Sequence, residues 1–279
     1  MWLLALACLL GAARGLMLPM TMKTVVVFGG SGLTGREVVH QALGQGYNVV
    51  TLARTPSKVL VPDRVAGSGG QPFSSELKLK VVQGDVTSAD DVARCFATAT
   101  AADAEGVVGT VVALGGKTKD VGPTMLTDGT TNIISSLKSL GGATQPPRIA
   151  VVTSIGAGDS EKQAPMMFRA LMYTVMKSIF NDKNNQEKLF TAAGAVGSSL
   201  DYTIVRPGGL GVGEPTGVIN VIDGEAGSIQ RADVAAFCLG AVTDSGFPYL
   251  RKTPCISSSL GVSWKKQPEV AGFDKVKTA

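Results

Sequence analysis

The sequence predicts an α/β domain built on a doubly wound, mostly parallel sheet, with a small lobe toward its C-terminal end. Three observations lead to this prediction. Short, continuously apolar runs alternate with longer amphipathic stretches along the chain. Runs that are apolar throughout are typical of parallel strands covered by helices on both faces. A glycine-rich turn joins the first apolar run to the first amphipathic stretch.

Six apolar runs predict the strands. The first, TVVVF at residues 24–28, is rich in β-branched residues and stops at two glycines, as buried strands often do. The others are YNVVTLA, LKVVQ, VVGTVVAL, IAVVT and YTIV, at residues 47–53, 79–83, 107–114, 149–153 and 202–205. Apolar residues at helical spacing predict helices at residues 36–45, 88–96 and 127–140. The segment after Leu210 is predicted to form the substrate-side lobe.

Length and composition limit the function classes. A chain of 279 residues accommodates one large α/β domain, here predicted to run from residue 23 to residue 279. The net charge of +4 is small, and the basic residues form no cluster interleaved with aromatics, which argues against nucleic-acid binding. A single histidine and scattered cysteines argue against a metal site, a Ser-His-Asp triad and a disulfide framework.

Residues 1–22 are predicted to be a leader rather than part of the domain. The apolar run from Trp2 to Leu10 is too short to cross a bilayer, and small residues follow it. A signal peptide and an organelle-targeting peptide both fit this pattern. We expect an organelle, with the plastid favoured, and the secretory pathway or the cytoplasm as alternatives. No membrane span is expected in the mature domain.

The glycine-rich turn carries most of the functional information. Gly29, Gly32 and Gly35 form a G-x-x-G-x-x-G array directly between a predicted strand and a predicted helix. Glycines at these places permit a tight turn and let the main chain approach a pyrophosphate at the helix N-terminus. Ser31 and Thr34 add hydroxyl donors. The turn therefore predicts a Rossmann fold that binds a dinucleotide.

The end of the second strand indicates which dinucleotide. Folds that select NAD place an acidic residue there to bind the ribose hydroxyls, whereas a cation accommodates the 2′-phosphate of NADP. This chain has Arg54 and then Lys58, with no acid at the strand end. NADP(H) is therefore the expected cofactor. Asp85 after the third strand is expected near the adenine, and Leu114 and Gly115 after the fourth strand near the nicotinamide ribose.

These segments resemble a known family. FGGSGLTG, LARTPSK, QGDVT, VVTSIGAG, NDKNNQEKL, LDYTIVRPGGL and IQRADVAAF occur in the order found in the atypical short-chain dehydrogenase/reductase group, which includes NmrA-like proteins and the flavin/biliverdin-IXβ reductases. The resemblance implies NADP(H) bound by the following residues: for the pyrophosphate, Gly29, Ser31, Gly32, Leu33, Thr34 and Gly35; for the 2′-phosphate, Arg54 and Lys58; for the adenine, Asp85 and Val86; for the ribose, Leu114 and Gly115; for the nicotinamide, Ser154, Pro207, Gly208 and Gly209.

The catalytic candidates are Ser154, Tyr173 and Lys177. A serine after the fifth strand can orient the nicotinamide amide or a substrate carbonyl. Tyr173 and Lys177 have the Y-x-x-x-K spacing of typical short-chain dehydrogenases, in which the lysine lowers the pKa of the tyrosine that donates a proton. One turn of helix would place both on the same face. The resemblance instead implies an active-site helix at Asp182, Lys183, Gln186 and Glu187.

The expected function is NADPH-dependent reduction of a small planar acceptor such as a flavin or a quinone. A redox sensor or scaffold that binds NADP(H) without turnover is the alternative. An isomerase or epimerase of nucleotide sugars is less favoured, because the chain is short after Leu210. The identity of the substrate and the oligomeric state are left open.

Overall fold

The computed structural model describes residues 23–67, 70–102, 106–116, 121–141, 145–225, 227–258 and 262–263. The predicted leader lies outside the described residues. Seven α-helices have bounds in the described part: α1 Leu33–Gly44, α2 Asp63–Ala66, α3 Ala89–Ala101, α4 Met125–Gly141, α5 Met166–Tyr173, α6 Lys177–Thr191 and α7 Arg231–Thr243. None of the helices in these ranges is long and apolar enough to cross a membrane.

The centre of the molecule is a sheet to which nine of the described strands belong, in the order β11-β8-β10-β6-β5-β4-β1-β2-β3. Its strands are β1 Thr24–Phe28, β2 Asn48–Ala53, β3 Leu79–Gln83, β4 Val107–Val112, β5 Arg148–Val152, β6 Tyr202–Pro207, β8 Asn220–Val221, β10 Cys255–Ser257 and β11 Val262–Ser263. A small pair, β7 Gly209–Gly211 and β9 Ser228–Gln230, lies beside it. All neighbours from β3 to β10 pair in parallel, and β8 is antiparallel to β10 and β11. The predicted doubly wound, mostly parallel sheet is confirmed.

Two apolar layers cover the sheet, as alternation along the strands requires. Val25 and Val27 of β1 face α1 and α7. Val26 and Phe28 face the opposite layer, formed by α3, α4 and α6. The order 3-2-1-4-5-6 reverses between β1 and β4, and in such folds ligands bind at that reversal, outside the carboxyl ends of the strands.

The segment after Leu210 contributes more to the centre of the fold than a separate lobe would. Its helix α7 packs against α1 and is buried on every side from Ala232 to Val242. Its strand β10 extends the parallel sheet beyond β6. Because α7 is apolar all round, it lacks the amphipathic period by which a helix is recognised in a sequence.

Candidate functional site

The turn between β1 and α1 contains two glycines, Gly29 and Gly35, that leave no room for a Cβ. Gly29 has a φ of +91°, and a Cβ there would lie 2.3 Å from the carbonyl oxygen of Ala113. A Cβ on Gly35 would lie 2.0 Å from the carbonyl oxygen of Gly29. Gly32 caps α1 without a side-chain acceptor, so the first N–H groups of the helix are left for another partner. Such a helix start is suited to binding an anion.

Arg36 connects the loop after β2, at residues 54–58, to this turn by hydrogen bonds. Its Nε donates to the carbonyl oxygen of Ser31 at 3.2 Å, and its Nη2 donates to that of Lys58 at 3.2 Å. The loop carries the two cations predicted for a 2′-phosphate. Arg54 is exposed and lines the cleft, whereas Lys58 is exposed and lies outside the cleft lining. Sequence reasoning missed Arg36, although it directly follows the last glycine of the turn.

The end of β3 is held by its own hydrogen bonds. The Asp85 carboxylate accepts from the main-chain N–H of Thr87 at 2.9 Å and from its hydroxyl at 2.8 Å. The N–H of Asp85 donates to Asp91, and this bond together with Arg94 lowers the pKa of the Asp91 carboxyl. Asp85 and Val86 both line the cleft. The carboxylate of Asp85 is half-buried and keeps one oxygen without a hydrogen bond from the described residues.

The opposite end of the cleft is marked by Lys183 of α6. Its Nζ donates to the carbonyl oxygen of Thr153, which directly follows β5, at 3.1 Å. Burial lowers the pKa of Lys183 to about 8, although the neighbouring carboxylates of Glu187 and Asp182 oppose this shift. An amine whose pKa lies near neutrality can exchange a proton with a ligand. We call the group of Thr153, Lys183 and Glu187 the lysine end of the cleft. We call residues 29–35, together with Arg54 and Asp85, the turn end.

A buried ion pair holds the lysine end from behind. Glu187 accepts from the hydroxyl of Thr153 at 2.7 Å and from Arg206 Nε and Nη2 at 3.1 and 2.6 Å. Arg206 also pairs with the exposed carboxylate of Asp159. These carboxylates raise the pKa of Arg206 despite its burial, so the guanidinium stays charged. Through these hydrogen bonds, Glu187 connects α6 to the end of β5 and to β6.

Asp182 and Gln186 fix the other side of α6. The Asp182 carboxylate accepts from the main-chain N–H groups of Leu126 and Thr127, at 2.8 and 3.0 Å, at the start of α4. Gln186 donates to the hydroxyl of Thr130 at 2.8 Å. Asp182 and Gln186 pack α6 on α4, and of the four residues predicted on this helix only Lys183 lines the cleft.

The structure does not bring Tyr173 and Lys177 to the cleft. The expected single helical turn between them is wrong, because α5 ends at Tyr173 and α6 begins at Lys177. Both side chains are exposed and lie outside the cleft lining. A hydrogen bond to Glu161 raises the pKa of the Tyr173 phenol, the reverse of what a lysine neighbour would do.

The other predicted residues of this end lie beside the cleft. Ser154 follows Thr153, is half-buried, and donates to the carbonyl oxygen of Ile155 at 3.0 Å. Pro207 ends β6, and the N–H groups of Gly208 and Gly209 bond to the main chain of Ile256 and Gly227. Leu210, just beyond them, lines the cleft.

Together these elements enclose a cleft of about 790 Å³ at the carboxyl ends of the strands. Its lining joins the two ends and includes these predicted residues: Gly29, Ser31, Gly32, Leu33, Thr34, Arg54, Asp85, Val86, Leu114 and Gly115. Among the described residues that line it, the cations are Arg54, Lys183 and Arg231, and the one carboxylate is that of Asp85. A second cavity of about 100 Å³ adjoins the lysine end and shares Gly115, Gly116 and Lys183 with the cleft. Within the described residues no group of histidine, cysteine and carboxylate side chains is suited to a metal ion.

Comparison with known proteins identifies the family. The model of the NAD(P)H-binding family matches residues 29–245, which covers the glycine turn, the cleft and α7. The chain belongs to this NAD(P)H-binding family. The resemblance to atypical short-chain dehydrogenases/reductases and NmrA-like proteins is thereby confirmed. The family is one of oxidoreductases that bind a nicotinamide cofactor and act on small molecules.

Individual relatives are more distant. The reductase pytE of Aspergillus terreus is 27% identical over 203 residues, which are 66% of this chain and 74% of that protein. An anaerobillin reductase of Escherichia coli has a solved structure with a TM-score of 0.60 and 23% identity, covering 85% of this chain and 98% of the other. The oxidoreductase ylbE of Lactococcus lactis gives a TM-score of 0.64 and 18% identity, covering 92% and 99%. The two structures share the fold of this chain.

Proposed function

We propose that this protein is an NADPH-dependent reductase of a small planar acceptor. The observation that carries the proposal is the construction of the cleft, which has a helix start without a side-chain cap at one end and Lys183, bonded to the carbonyl oxygen of Thr153, at the other. A dinucleotide laid across the strand reversal would extend from Arg54 toward Lys183. The reductase pytE supports the same class of reaction.

The preference for NADPH rests on the end of β2. Arg54 lines the cleft there, and no carboxylate follows the strand to accept hydrogen bonds from the ribose hydroxyls. A guanidinium matches the geometry of a phosphate dianion. Arg36 supports this arrangement, because it holds the main chain at Lys58 beside the glycine turn. The 2′-phosphate would bind between Arg54 and this loop.

The lysine end would complete the reduction. A reduced nicotinamide supplies a hydride, so an acceptor reduced by two electrons also needs one proton. Lys183 carries that proton below a pH of about 8 and stands within the cleft. The carbonyl oxygen of Thr153 orients its ammonium group, and Glu187 holds Thr153 in turn. The adjoining cavity, walled by Gly115, Gly116 and Ile179, would receive part of a flat acceptor ring.

One observation favours the alternative, a redox sensor or scaffold that binds NADP(H) without turnover. The Y-x-x-x-K pair of typical short-chain dehydrogenases is exposed and separated between α5 and α6, so it supplies no proton at the cleft. A sensor needs the turn end alone. The two functions therefore differ in whether Lys183 acts on an acceptor.

The deciding experiment is a titration of the full-length protein with NADPH and NADH, followed by NADPH oxidation with added flavin or quinone. We expect NADPH to bind more tightly, and Arg54→Ala to weaken NADPH about tenfold or more while leaving NADH within about twofold, since one charge-assisted contact is lost. Binding with turnover supports the reductase. Binding without turnover on either acceptor supports the sensor, and no binding of either nucleotide contradicts both.

A further inference from the structure

Arg231, the first residue of α7, has an unusual environment for a partly buried arginine. Arg231 lines the cleft, and its Nη1 donates to the main-chain carbonyl oxygens of Leu210 and Gly211, each at 3.1 Å. No carboxylate among the described residues pairs with it. Arg64 and Arg206 are also largely buried, but each pairs with two carboxylates.

The electrostatics of Arg231 are therefore incomplete without a ligand. Burial lowers its pKa, and no acidic side chain in the described part of the chain offsets the shift. A charge that is partly withdrawn from water without a counter-ion is a favourable partner for an anion bound in the cleft. Its Nε and Nη2 have no hydrogen-bond acceptor among the described residues and are left to bind one.

The position of Arg231 indicates which anion. Helix α7 packs on the α1 face of the sheet, and Gln41 of α1 donates to the carbonyl oxygen of Ala232 at 2.8 Å. Lys183 reaches the cleft from the opposite face, on α6. Helix α7, which begins with Arg231, therefore covers the same face of the sheet as α1, and the glycine turn that precedes α1 contains no basic residue from Gly29 to Gly35.

We propose that Arg231 binds a phosphate oxygen of the cofactor's diphosphate bridge. The proposal rests on the proposed binding of a nicotinamide dinucleotide. In this proposal the two arginines bind different phosphates. Arg54 binds the 2′-phosphate, which distinguishes NADPH from NADH, and Arg231 binds the diphosphate, which the two cofactors share.

The test compares Arg231→Gln with Arg148→Gln in the full-length protein. Arg148 is a matched control, because it is also half-buried and also donates only to main-chain carbonyl oxygens, those of Asp244 and Ser245, but lies outside the cleft. We expect Arg231→Gln to raise the Kd of both NADPH and NADH about 10- to 100-fold, the effect of one charge-assisted hydrogen bond. Arg231→Lys should recover part of the loss. Arg148→Gln should stay within about twofold for both nucleotides.

Two results would overturn the proposal. In the first, Arg231→Gln binds both nucleotides as Arg148→Gln does. In the second, cofactor binding is unchanged but the KM for flavin mononucleotide rises while that for riboflavin, which lacks the phosphate, does not. The anion would then belong to the acceptor.

Inorganic pyrophosphate separates this proposal from the proposed function. If the wild-type protein bound neither nucleotide, the proposed function would fail, and thermal unfolding with pyrophosphate would still test Arg231. Stabilisation of the wild type that Arg231→Gln lacks would support an anion site at this residue. Equal stabilisation of the two proteins would contradict it.

Discussion

The two ends of the cleft are built in different ways. At the turn end, the main chain of residues 29–35 is contiguous in sequence, and steric limits dictate Gly29 and Gly35, while Arg54 and Asp85 join it from the ends of β2 and β3. At the lysine end, side chains from α6, from β6 and from Thr153 just after β5 meet in space, and Glu187 lies 34 residues from Thr153 and 19 from Arg206. The comparison teaches that binding resides in a short segment, whereas the chemistry depends on long-range packing. Mutations at the turn end should therefore weaken cofactor binding, whereas mutations at the lysine end should lower turnover or stability.

The largest effect is expected from Lys183→Met. General acid catalysis contributes about 100- to 10,000-fold, so turnover should fall within that range while the Kd for NADPH changes little. In the wild type, kcat should decline as the pH rises through about 8, because the ammonium loses its proton there. Steady-state kinetics between pH 6 and 10 would measure both effects.

Lys188→Met is the control, since Lys188 is exposed on the same helix and lies outside the cleft lining. It should behave as the wild type does. A Lys183→Met protein with wild-type turnover and the same pH profile would remove Lys183 from the reaction.

The second effect is on folding. Glu187→Gln leaves Arg206 with only the exposed carboxylate of Asp159, and breaking a buried pair costs about 3–5 kcal/mol. Asp201→Asn breaks the more exposed pair with Arg251 and should cost about 1 kcal/mol or less. Urea denaturation of both variants would measure the free energies of unfolding. Equal losses would mean that the buried pair does not anchor the lysine end.

A third prediction concerns the turn end. Gly35→Ala would place a Cβ 2.0 Å from the carbonyl oxygen of Gly29, so α1 must move away from the turn. We expect affinity for NADPH and NADH to fall together, about a hundredfold, as hydrogen bonds to the diphosphate are lost. Gly224→Ala is the control, because no atom of the described residues lies within 4 Å of the position that its Cβ would take. Calorimetric titration would show whether the two variants differ; equal affinities would contradict the role of the turn.

The same contrast explains what the sequence could predict. Strands β1 and β3 have the predicted bounds, because β1 is a buried, β-branched run that ends at two glycines and β3 is a short stretch between a loop rich in glycine, proline and serine and the Gly84-Asp85 turn. Helix α3 continues past the predicted end at Phe96 to Ala101, since its alanines and threonines carry no apolar period. The cleft lining at the turn end was likewise predictable from the G-x-x-G-x-x-G spacing.

The residues of the lysine end were harder to predict from the sequence. Resemblance alone indicated the helix around Lys183, since no local pattern shows that this lysine meets the Thr153 carbonyl. Arg231 and Arg36 were missed for the same reason: an arginine is recognised as buried or paired only when its distant neighbours are known. By contrast, the Y-x-x-x-K spacing was conspicuous, but a break in the helix at Thr174 separates its members.

The smallest effect is expected from Tyr173→Phe. The phenol is 59% exposed on α5, hydrogen-bonds to Glu161 and keeps its proton, because that bond raises its pKa. Losing the hydroxyl should leave kcat and KM within about twofold, while Lys183→Met abolishes most turnover. Steady-state kinetics of Tyr173→Phe and Lys183→Met, measured under the same conditions, would compare the two losses of turnover. A tenfold or larger loss in Tyr173→Phe would mean that α5 closes over the cleft when substrate binds, and that the proton source lies on α5 instead of at the lysine end.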